Sequence, residues 1–243
     1  MSISFKSRIE EVVARLSPAL RQSEEKNLLL LQNAGVTSYE NLLIFTQDTQ
    51  QNPELRQFAI WLLARLDDTK AVPSILNALT DTKHSVVRRE AALRVAEIGK
   101  LGAPEAISPL LNVLQTDPDA QVRAAAAYAL RRFKGTANEM VVVTLLNTLQ
   151  NQQEDAAVRG EAAESLGELG AHQAVPALIA ALQDPAANIR LESAFALGLI
   201  GDTRALPELT YVAATDQGQV LWGGPEPWLV KDEANEAIMR IQN

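Results

Sequence analysis

The groups in this sequence with the most chemical potential are carboxylates. Glu161, Glu164 and Glu192 fall on one face of successive helical segments, and Glu90 holds the matching place in an earlier one. Paired carboxylates can share a proton in acid–base catalysis or attract a cationic ligand. Here they recur along the chain, which favours a lining over a single catalytic pair, so no catalytic residue is assigned. The two histidines, His84 and His172, are separated and sit in turns, and there is no cysteine. A metal centre, a disulfide or a thiol nucleophile therefore has no basis in the residues, and no cofactor is expected. Phosphate-cradling glycine loops, a G-x-S-x-G nucleophile turn and an H-E-x-x-H helix are absent from the sequence. Four arginines recur as well: Arg88, Arg123, Arg159 and Arg190. Their expected work is structural, pairing with turn aspartates or capping carbonyls between units.

The elements that position these residues come in repeats. The segments Val87-Arg88-Arg89-Glu90, Val122-Arg123-Ala124-Ala125, Val158-Arg159-Gly160-Glu161 and Ile189-Arg190-Leu191-Glu192 align, with arginines 35, 36 and 31 residues apart. Each segment runs on to a glycine (Gly99, Gly135, Gly170 or Gly201), 11 or 12 residues after its arginine. Apolar stretches with a proline precede three of them, at Val72-Pro73, Ser108-Pro109 and Val175-Pro176. Proline suits a first helical turn, and glycine supplies the left-handed residue that ends a helix. An aspartate closes the first helix of three units, at Asp81, Asp117 and Asp184. Each unit is thus a helix pair whose apolar face is buried only by stacking on its neighbours.

Degenerate units extend the array at both ends. Tyr39 to Gln47 with Asn52 to Leu66 forms one pair, and Leu206 to Leu209 with Val230 to Ile241 opens and closes another. The reading is an all-α, right-handed α-solenoid of about six helix pairs. Residues 1–35 form an N-terminal helical cap, and residues 36–243 form one continuous array.

Composition agrees. The chain has 243 residues, 47% of them hydrophobic and only 5% aromatic, which suits closely packed helices better than a sandwich or barrel. The net charge is −8, so a phosphate backbone is repelled and nucleic acid is not an expected partner. The nearest thing to a basic stripe is Arg88, Arg89, Arg94, Arg123, Arg131 and Arg132. Met1 to Arg15 does not read as a signal peptide, and no stretch approaches a membrane span. A cytoplasmic protein is the expectation.

The pattern Val-Arg-x-x-Ala-Ala-x-Ala-Leu-Gly-x-Ile-Gly, approximated by Val158 to Gly170 and Ile189 to Gly201, resembles the short HEAT-like repeats of the phycobilisome (phycobilin) lyase type. The resemblance covers roughly residues 52–243 and implies a helical solenoid. It further implies a role as a lyase or isomerase subunit, or as a chaperone-like factor acting on phycobiliproteins. A phycobiliprotein or a related HEAT-repeat subunit would then be the partner. Deoxyhypusine hydroxylase is another enzyme built on HEAT repeats, and it holds two irons with His-Glu pairs. No His-Glu dipeptide occurs here, so that activity is not expected.

On a helical wheel counted from each arginine, positions −1, +3, +7 and +10 form the core face. Positions +2, +5 and +9 lie opposite, on the side that lines the concave surface of such solenoids. That side carries Phe58 and Trp61, then Glu90 and Leu93, then Tyr128. It continues with Glu161 and Glu164, then Glu192 and Phe195, and reaches Glu233, Glu236 and Arg240 in the last unit. Large apolar groups on a polar face are candidate anchors for a protein partner. The last unit departs from the pattern, with 13 residues between Asp216 and Val230 against four between Asp184 and Ile189. Trp222 and Trp228 stand in this insertion among Gly and Pro. Two readings remain for it: a cap over the end of the array, or a binding loop. The function expected is a non-catalytic scaffold binding a protein or peptide, with the lyase role as its alternative.

Overall fold

Alternating Pro-started and Arg-started segments become alternating helices. The structure, a computed structural model, describes residues 9, 18–66, 69–99, 104–133, 139–221 and 226–243. Gly135 and Trp222, and most of the stretch assigned to an N-terminal cap before Pro18, lie outside the described residues. Contact density divides the chain into two units, Met1–Pro109 and Leu110–Asn243.

In the first unit α1 spans Pro18–Asn33, α2 Tyr39–Gln47, α3 Pro53–Arg65, α4 Val72–Ala78 and α5 Ser85–Gly99. Capping explains the starts. The Ser38 side chain accepts from the backbone N–H of Asn41, and Asn52 accepts from that of Leu55 just before Pro53. Ala59, Ile60, Leu62 and Leu63 of α3 are buried, and α3 packs on α5 and α1.

The second unit begins at Leu110, within α6, Ile107–Thr116. There follow α7 Ala120–Leu130, α8 Glu139–Gln150, α9 Ala156–Glu168, α10 Val175–Ala181, α11 Ala187–Ile200, α12 Leu206–Thr215 and α13 Val230–Gln242. The second helices of the pairs stack side by side, α7 on α9, α9 on α11 and α11 on α13. Val158, Ala162, Leu166, Ile189, Ser193 and Leu197 are fully buried, as the wheel requires, while Leu169 at the end of that face is half-buried. Gly170 and Gly201 take positive φ, 67° and 76°, and end their helices in the left-handed conformation. A short 3₁₀ turn leads into α4, α6, α10 and α12, and each turn ends in a buried alanine, Ala71, Ala106, Ala174 or Ala205.

The recurring arginines join neighbouring pairs. Arg56 is 1% exposed; it donates to the Thr46 carbonyl behind it and to Asp81 ahead, at 2.5 Å. Arg159 repeats this with the Leu149 carbonyl and Asp184. Arg123 forks onto Glu154, and Arg190 onto Asp216. The turn aspartates thus do more than close a helix. Asp81 also accepts from the backbone N–H of Lys83 and of His84. Burial alone would raise its carboxyl; Arg56 and those two N–H groups outweigh burial and hold it at about 2.

The insertion between α12 and α13 contains two short strands, β1 Gln219–Val220 and β2 Trp228–Leu229, paired antiparallel. Gly218 begins it where a Cβ would come 2.4 Å from Arg190 Nη2, so the Arg190–Asp216 fork and the chain can share the space only with glycine there. Among the described residues, no helix is long and apolar enough to cross a membrane.

Candidate functional site

The nominated residues fall into separate places. Phe58, Trp61, Glu90 and Leu93 belong to the first unit. Phe58 is 6% exposed and stacks on Trp61 at 5.4 Å, and the Arg65 guanidinium lies 4.6 Å above the Trp61 ring. Glu90 is buried, paired with Arg94 and accepting from the Gln57 amide. These residues, Leu93 apart, help line a first-unit cleft of about 480 Å³. Tyr128, in the second unit, is half-buried beneath Arg131, whose guanidinium lies 4.0 Å from the ring centre. Three members of the proposed basic stripe are neutralised: Arg94 by Glu90 and Glu97, Arg123 by Glu154, and Arg131 by Glu164.

The remaining described residues converge. Glu161, Glu164, Glu192, Phe195 and Trp228 line one cleft of about 720 Å³ together with Glu233, Glu236 and Arg240. Close helix packing shapes it. A Cβ on Gly167 would sit 2.5 Å from the Cα of Ala196, so α9 and α11 meet closely through their C-terminal halves. Nearer their N-terminal ends, Gly160, Asn188 and Leu191 join the cleft lining. The hairpin brings Trp228, 54% exposed, to the same cleft just before α13. The helix wheel misses this contribution of Gly160. Its signal is positional: the residue after the repeat arginine is Arg89, Ala124 or Leu191 in the other units, and glycine only here.

Electrostatics set this cleft apart. Glu164 is taken up by Arg131, and Arg240 donates to Glu233 at 2.9 Å and to Glu236 at 2.8 Å while lying 5.2 Å over the Phe195 ring. Among the described residues Glu161 has no such paired cation, and its Oε2 is buried without a hydrogen-bond partner. Burial, reinforced by Glu164 and only partly offset by Arg131, pushes the Glu161 carboxyl up to about 7. Burial with the repulsion of Glu164, Glu161 and Glu233 pushes Glu192 up to about 8. Burial also raises Glu233, against the pull of Arg240.

This has a consequence for stability. In the folded protein Glu161 and Glu192 keep a proton at pH values where an unfolded chain's glutamate, titrating near about 4.3, has lost it. Their stabilising contribution is complete below the unfolded value and falls as pH rises through about 7 to 8. Glu192→Gln fixes the neutral form. The variant should match the parent in urea melts at about pH 4 and exceed it by about 1–3 kcal/mol at about pH 9, a figure discounted for water in the cleft. Identical pH profiles for the two proteins would contradict the placement of Glu192.

A family model described as HEAT repeats matches residues 41–131 and 142–222. Deoxyhypusine hydroxylase-B of Oryza sativa subsp. japonica is 28% identical over 207 residues, covering 75% of this chain and 65% of that protein. Phycocyanobilin lyase subunit alpha of Nostoc sp. (strain PCC 7120) is 30% identical over 158 residues, covering 59% of this chain and 56% of that protein. The chain spans between about half and two thirds of the length of the curated relatives it matches. Among solved structures, the complex of CpcE and CpcF of phycocyanin lyase from Nostoc sp. PCC7120 superposes with a TM-score of 0.55 at 24% identity. That match covers 72% of this chain and 70% of that one. The residues do not fit the iron site of the hydroxylases. His84 is followed by Ser85 and His172 by Gln173, and no group of three or more His, Asp or Glu among the described residues could hold a metal ion.

Proposed function

The chain belongs to the HEAT-repeat family, and from that premise we propose that it is a non-catalytic scaffold holding a basic protein segment in the acidic cleft of its second unit. The observation carrying this reading is the set of five glutamates around Phe195 and Trp228, against Arg240 as the one cation lining the cleft among the described residues. Carboxylates steer a basic segment and fix its register, and the rings supply desolvated contact area. Selection of displayed random peptides tests it. Peptides retained by the parent should be enriched in Lys, Arg and apolar residues, and Glu161→Lys with Glu164→Lys should abolish that enrichment. Selection of neutral or acidic peptides by the parent would overturn the reading.

The likeness to phycocyanobilin lyase subunit alpha supports a second reading, a lyase subunit acting with a related HEAT-repeat partner on a phycobiliprotein. Aromatic rings could stack on a bilin, and part-protonated glutamates could hydrogen-bond its pyrroles and carbonyls. Mixing the protein with bilin and apo-phycobiliprotein separates the two. A visible absorbance change, dependent on the cleft glutamates, belongs to the lyase reading alone.

A further inference from the structure

Three rings on the expected partner face already carry an arginine of this chain: Trp61 carries Arg65, Tyr128 carries Arg131 and Phe195 carries Arg240. In the second-unit cleft the arrangement is complete. The Arg240 guanidinium lies over Phe195 and reaches Glu233 and Glu236 at the same time. A planar guanidinium can stack on a ring and fork to carboxylates together, whereas an ammonium is a point charge that satisfies one demand at a time. The neighbouring helices offer the same demand unmet. Glu161 on α9 has a buried oxygen with no hydrogen-bond partner among the described residues, and Glu192 on α11 faces three other carboxylates with only Arg131 opposing them.

Resting on the basic-segment reading above, we infer that the Glu161–Glu192 side of the cleft seats an arginine side chain of the partner, beside Phe195 and Trp228. The charged and titratable groups facing that seat are Arg131 just after the end of α7, Glu164 on α9, and Glu233, Glu236 and Arg240 on α13. Arg240 is committed to Glu233 and Glu236, and Arg131, paired with Glu164, only partly offsets burial and repulsion at Glu161 and Glu192. Those two carboxyls hold protons near neutral pH. An entering guanidinium favours their ionised form, and the displaced proton passes to solvent. Arginine binding at this seat is therefore linked to proton release.

Calorimetry with a short oligo-arginine peptide and its oligo-lysine counterpart tests this, run near pH 7.5 in two buffers of different ionisation enthalpy. The parent should bind the arginine peptide about tenfold tighter than the lysine peptide and release about one proton on binding. Glu192→Gln and Glu161→Gln keep the shape of the seat without its charge. They should lose most of the arginine preference and most of the proton release while melting no lower than the parent. Equal affinity for the two peptides, or proton release unchanged in both variants, would overturn the arginine seat and leave the basic-segment reading standing. A parent that binds neither peptide would overturn both.

Discussion

Arg159→Ala should destabilise the protein by about 3–5 kcal/mol, because it strips the partner from a carboxylate that water cannot reach. Arg159 is 5% exposed. Its Nη2 donates to Asp184 at 2.5 Å and its Nε to the Leu149 carbonyl at 2.9 Å. The other Asp184 oxygen already accepts from the Ala186 backbone N–H, so the aspartate cannot turn away to find a new donor. Alanine leaves a buried charge and an unmet carbonyl in the layer joining two helix pairs. The more exposed Arg190–Asp216 fork sets the comparison: Arg190→Ala should cost less. Removing both charges at once, with Arg159→Met and Asp184→Leu, should recover much of the loss, since the penalty is the uncompensated charge. Urea melts read all four proteins. A loss below about 1 kcal/mol for Arg159→Ala would show that Asp184 reaches water.

Leu166→Ala should cost about 2–5 kcal/mol by lost apolar burial and the cavity left behind. Leu166 has no exposed surface, and its helix is packed on both sides, by α7 and by α11. In a repeat array each layer is shared with its neighbours, so the loss should lower the protection of amides in α7 and α11 as well as in α9. Leu169 lies one turn on and is half-buried; alanine there should cost clearly less. Equal costs at the two positions would mean that the core face of α9 is misassigned.

Several helix boundaries were legible because they have a local cause. Asn52-Pro53 starts α3 where the sequence places it, and Gly170 and Gly201 end their helices by a backbone conformation that glycine permits. The 3₁₀ turns were not legible. They span three residues each, too short for a periodic signal, although the buried alanine closing each one recurs in register. The spacing of the arginines points to a structural role, but the carboxylates that Arg159, Arg190 and Arg123 meet 25, 26 and 31 residues ahead depend on how pairs stack. The wheel found the face holding Glu161, Glu164, Glu192 and Phe195. It treats each helix as isolated, and so it could not show that Phe58 and Glu90 on the same face are buried by their neighbours. Nor could it show that the Phe195 ring is covered by a guanidinium group, since Arg240 reaches it from a different repeat.

The central claim is that the second-unit cleft captures a basic segment by charge and holds it by its rings. Binding kinetics of a selected basic peptide at two ionic strengths tests this most directly. The parent should associate fast, with a steep loss of rate on adding salt. Reversing Glu161 and Glu164 to lysine should slow association and flatten that dependence, whereas Phe195→Ala should mainly speed dissociation. If the charge-reversed protein associates at the parent's rate with the parent's salt dependence, the cleft is not where the segment binds.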